Sequence, residues 1–99
     1  MRTCVERLIS IQNIDASIVL DEIRFLQSTL ESLRLDLKIS NDAYLDAGAI
    51  QGGLSMLSNL IEHGISSVEI QQHLRDILAR GVKLDLVHPD LDGAIELCR

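Results

Sequence analysis

Leu, Ile and Val recur along this chain at steps of three and four, the repeat of one helix face, and not at the alternating step of a strand. Between Asp15 and Ile39 the positions Ala16, Val19, Ile23, Leu26, Leu30, Leu33 and Leu37 make one unbroken seam. The polar run Ser40-Asn41-Asp42 interrupts it, and a second seam takes over at Ala43, Ala47, Ile50, Leu54, Leu57 and Ile61. A turn that short forces neighbouring helices to run antiparallel. Folding back at Ser40 and Asn41 sets Leu37 against Ala43, Leu33 against Ala47, Leu30 against Ile50, Leu26 against Leu54, Ile23 against Leu57 and Val19 against Ile61. The pattern therefore predicts an all-α protein: a single helical domain over residues 1–99, built on a long helical hairpin at about 15–39 and 42–63.

Shorter helices flank the hairpin. Val5, Leu8 and Ile9 predict one over about 3–12. Gly64 is placed to stop the second long helix, because glycine takes the left-handed conformation there without a Cβ penalty. Ser66-Ser67-Val68-Glu69 reads as a capping box, with Ile65 and Ile70 as its hydrophobic staple. The helix it opens, about 67–80, carries Ile70, Leu74, Ile77 and Leu78 and is expected to end at Gly81, with Val82 folding back on Ile77. Lys83 to Val87 reads as an extended connector, and a last helix over about 90–98 uses Leu91, Ala94, Ile95 and Cys98.

The second hairpin helix has an apolar surplus. Opposite its seam lie Leu45, Ala49, Gly52, Met56 and Leu60, and no Lys or Arg occurs in it. Such a helix needs a neighbour on two sides. The first hairpin helix likewise places Ile18 and Phe25 off its seam. The expectation is a homodimeric helical bundle of two hairpins, with Ile18, Phe25, Leu45, Ala49, Gly52 and Met56 as the partner or dimer interface; a monomer whose terminal helices wrap both faces is the alternative.

Charge narrows the possible partners. Nine Lys and Arg stand against fifteen Asp and Glu, a formal charge of −6, so no basic field exists to hold phosphate or anionic lipid by charge alone. The charged opening Met1 to Arg7 leads to no apolar stretch of signal-peptide or membrane-spanning length, which makes a cytoplasmic location the expectation. Cys4 and Cys98 lack metal or redox spacing and fit reduced thiols, a bridge between the ends being the sharper alternative.

Catalytic patterns fail on spacing. Asp90-Leu91-Asp92-Gly93-Ala94-Ile95 resembles the middle of a calcium loop, but His88 and Arg99 fall where its end ligands belong. Gly53-Leu54-Ser55-Met56-Leu57 is one Gly short of a nucleophile elbow and lies within a helix. His63, His73 and His88 are too scattered to share a metal, and Asp21-Glu22 and Asp42 with Asp46 read as solvated carboxylates. No catalytic, cofactor-binding or metal-binding residue is expected. The expectation is a small acidic, non-enzymatic protein-protein interaction or regulatory module, an adaptor, inhibitor or antagonist of a larger protein, acting through an apolar helix face. The alternative is a DNA-binding transcriptional regulator using a helix-turn-helix at about 57–79, which its near-neutral second helix supports poorly.

Overall fold

Helices form where the seams place them, and local capping decides where each one ends. In the computed structural model, which describes residues 1–99, these are α1 (Arg2–Ile9), α2 (Ala16–Leu35), α3 (Asn41–Glu62), α4 (Ser67–Val87) and α5 (Leu91–Glu96). Asp15, Ser40 and Ser66 cap α2, α3 and α4, their side chains accepting from the backbone N–H of Ile18, Ala43 and Glu69. A cap of this kind is worth about 1 kcal/mol. The Ser66 box closes only in part: Glu69 Oε1 accepts from the Ser66 hydroxyl at 3.2 Å instead of reaching back to its backbone N–H.

Two helices stop by the same device. At Gly64, with φ of 85°, the N–H of Gly64 bonds to Ile61 O and that of Ile65 to Leu60 O. At the end of α2 the residue in that position is Leu37, with φ of 60°; its N–H bonds to Arg34 O, and that of Lys38 to Leu33 O. Both are paired-bond Schellman stops. The second one shortens α2 relative to the expected Ile39 boundary. Leu37 becomes a turn residue, 90% exposed, and the expected Leu37–Ala43 layer does not form.

The rest of the hairpin packs as its seams require. Val19, Leu26, Leu30 and Leu33 of α2, and Ala43, Ala47, Ile50, Leu54 and Leu57 of α3, are all buried, while Ile23 and Ile61 are half-buried against the same core. Each fully buried Leu contributes about 2 kcal/mol, which makes this seam the main source of cohesion. Glu22 departs from its reading as a solvated carboxylate: it is only 8% exposed.

The larger correction concerns α4, which runs through Gly81 to Val87. Gly81 is buried because α1 begins on top of it; a Cβ there would lie 3.6 Å from the backbone of Met1 and Arg2. The glycine marks a crossing and not a stop. Residues 83–87, expected as a connector, supply a further buried layer at Leu84. α1 packs on α4, α4 on α3, α3 on α2, and α5 bridges α2 back to α1, so five helices close around one core. The second neighbour that α3 needed is thus α4 of the same chain.

Candidate functional site

The α3–α4 pairing leaves a shallow groove along one side of the bundle. Gly53 of α3 sets the helix separation, since a Cβ there would sit 3.3 Å from Cγ1 of Ile77 on α4. One edge of the groove is the α3 stripe Leu45, Ala49, Gly52 and Met56; the other is the α4 stripe His73, Asp76, Arg80, Lys83 and Val87. Ile50, Leu57, Ile77 and Leu84 form its floor. Leu45 and Met56 are 69% and 62% exposed, and no side chain of this chain covers them. No Cβ neighbour lies within 4 Å of Gly48 or Gly52, so the middle of the stripe is open. At the far end His88 Nε2 lies 2.8 Å from Asp46 Oδ2 and ties the end of α4 to α3.

The six expected interface residues therefore separate. Leu45, Ala49, Gly52 and Met56 stand together on the groove edge. Ile18 and Phe25 are half-buried against the core from α2, and the Arg99 guanidinium lies 4.2 Å from the centroid of the Phe25 ring. The sequence offered no local sign that α4 packs beside α3, and Gly81, which looked like a terminus, hid Lys83 and Val87. The signal for a longer α4 was present: the core positions Leu74, Ile77, Gly81 and Leu84 keep the three-four step across the glycine, as do His73, Asp76, Arg80, Lys83 and Val87.

Elsewhere the polar side chains bind the chain to itself. The Met1 ammonium donates to Asp85 Oδ1 at 2.8 Å and Asp92 Oδ1 at 2.9 Å, and Asp92 also accepts from the Thr3 backbone and hydroxyl. Partial burial pushes the Asp92 carboxyl up, but the Thr3 hydrogen bonds and the ammonium outweigh it and hold the group at about 2. Arg99 joins Glu22 and Glu96, and Arg7 pairs with Glu96 at 2.5 Å. Burial raises the Glu96 carboxyl, yet bonds from Arg7 and Arg99 leave it below its ordinary value. The Tyr44 hydroxyl and Arg34 likewise lower Glu31, where they join the two hairpin helices near their turn. Cys4 and Cys98 are both free; burial pushes the Cys4 thiol up to about 12, which suppresses the reactive thiolate.

No cluster of three or more His, Cys, Asp or Glu side chains is placed to hold a metal ion, and no helix is long and apolar enough to cross a membrane. At the helical corner over 57–79, α4 exposes Ser67, Val68, Glu69, Gln72, Arg75, Asp76 and Ala79, one cation against two carboxylates. No family model matches the chain, and neither the curated proteins nor the solved structures contain a significant match to it.

Proposed function

We propose that this chain is a non-enzymatic protein-protein interaction module, an adaptor, inhibitor or antagonist, whose binding surface is the α3–α4 groove. One observation carries the reading. α3 is covered on one flank by α2 and on another by α4, and the stripe left over, Leu45-Ala49-Gly52-Met56, carries no charge and stays open to water. Exposed apolar side chains in a groove between two helices suit an amphipathic helix laid lengthwise, with anchors at every third or fourth residue. The two free thiols fit a reducing, cytoplasmic site of action. The DNA-binding alternative has weaker support, because the exposed surface of α4 over 67–80 sets Glu69 and Asp76 against Arg75 and Arg80, which leaves little net charge for phosphate in an acidic molecule.

A photo-crosslinking amino acid at Met56 or Ala49, compared with one at exposed Gln27 on α2, tests this reading in living cells. The expected result is a discrete heterologous adduct from the groove positions and none from Gln27. Equal labelling at all three positions would overturn it. Homodimerisation through the same stripe would instead give an adduct of twice the chain mass, abolished by Leu45→Glu.

A further inference from the structure

We infer that the occupant of this groove is an acidic amphipathic helix, its apolar face on Leu45, Ala49 and Met56 and its carboxylates against Arg80 and Lys83; this rests on the groove being a protein-binding surface. Fifteen carboxylates and nine Lys or Arg side chains share this chain, so a basic group has ample acidic neighbours to choose from. Arg2, Arg7, Arg24, Arg34 and Arg99 each have a carboxylate within 4 Å. Lys38, Arg75, Arg80 and Lys83 form none of the chain's ion pairs, and of these four Arg80 and Lys83 border the groove. Arg80 stands at the middle of it, with Nη1 3.8 Å from the point a Gly53 Cβ would occupy.

Two carboxylates also line the groove: Asp46 on the α3 edge, where it bonds to His88, and Asp76 with His73 towards the Met56 end; neither forms an ion pair with Arg80 or Lys83. Around Leu45 and Ala49 the α4 edge is cationic, and the α3 edge opposite is apolar apart from Asp46. A docked helix carrying apolar residues on one face and Glu or Asp beside them matches both edges, and each new ion pair forms beside desolvated apolar surface. The stripe from Leu45 to Met56 is about 16 Å long at 1.5 Å per residue, or three turns of the occupant.

The probes are two synthetic amphipathic peptides of about eighteen residues, identical in their Leu face and differing only in having Glu or Lys at the flanking positions. Fluorescence anisotropy gives their affinities, and amide chemical-shift mapping gives their location. The expected result is that the Glu peptide binds about tenfold more tightly than the Lys peptide, with an advantage that shrinks as salt screens the pairs. The R80E/K83E variant reverses the preference, a result that requires a folded protein. Leu45→Ser weakens both peptides alike. Equal affinities on the wild-type groove would overturn the acidic partner while leaving the groove a protein-binding surface. Shifts confined to other faces, together with no crosslink at Met56, would remove both. A wild-type dimer by sedimentation that Leu45→Glu dissociates would assign the groove to a second copy and overturn the acidic helix.

Discussion

Arg99 closes on Glu22: its Nη1 donates to Glu22 Oε2 at 3.2 Å from the far end of the sequence, and the same guanidinium covers the Phe25 ring. This pair fastens the segment after α5 to α2, with Glu96 and Arg7 extending it to α1. Glu22 is almost fully buried, and Arg99 is the partner that its carboxylate oxygens bond to. Removing one member of a buried pair strands the other, whereas replacing both with apolar groups is often neutral.

Arg99→Ala is therefore expected to cost about 2 kcal/mol, discounted from a fully buried pair because Arg99 keeps some solvent contact. The double variant Arg99→Ala with Glu22→Leu should recover most of the loss. Urea denaturation followed by circular dichroism reads both values. A double variant no more stable than Arg99→Ala would show that the stacking on Phe25, and not the charge on Glu22, is what Arg99 supplies.

Acid should weaken the fold through Asp92. Its carboxyl titrates at about 2 in the folded chain against an ordinary 3.8, so its stabilisation is complete above the higher value and is lost as pH falls from 3.8 towards 2. The contribution at neutral pH is about 1 kcal/mol after allowance for its partial exposure. Thermal melts between pH 2 and pH 6 check this: Asp92→Asn should be less stable than wild type near neutrality and converge with it at the acid end.

Gly81 separates two effects of size. A methyl group at this position meets the Met1 and Arg2 backbone at ordinary van der Waals distance, so Gly81→Ala should gain up to about 1 kcal/mol from helix propensity. Gly81→Leu has no room beneath α1 and should destabilise by about 2 kcal/mol. Amide exchange would show the larger variant losing protection in α1 first. Unchanged α1 protection in Gly81→Leu would disprove the crossing as the reason for this glycine.

Leu37 occupies a left-handed backbone position that glycine takes more easily, and its side chain is exposed. Leu37→Gly should stabilise the protein by about 0.5–1 kcal/mol, the steric relief exceeding the added unfolded-state entropy. A fall in the midpoint of chemical denaturation would mean that Leu37 contributes apolar contacts that outweigh its backbone strain.

The three-four repeat of apolar positions determined the fold class and the hairpin, because each seam residue from Val19 to Leu33 and from Ala43 to Leu57 has one face on which burial is favourable. Local side-chain chemistry also wrote the caps at Ser66 and the stop at Gly64 into the chain. Tertiary structure decided what a local rule cannot see. Gly81 reads as a helix end by its own chemistry, yet the backbone of Met1 and Arg2 needs its missing side chain to cross α4. Leu37 continues the seam by spacing, but reversing the chain within a few residues draws it into the turn. Glu22 looks solvated until Arg99 reaches it. The candidate site divides in the same way: Leu45, Ala49, Gly52 and Met56 were legible as a stripe on one helix, whereas Arg80 joined them only when α4 lay down beside α3, and Lys83 only because α4 also continues past its glycine.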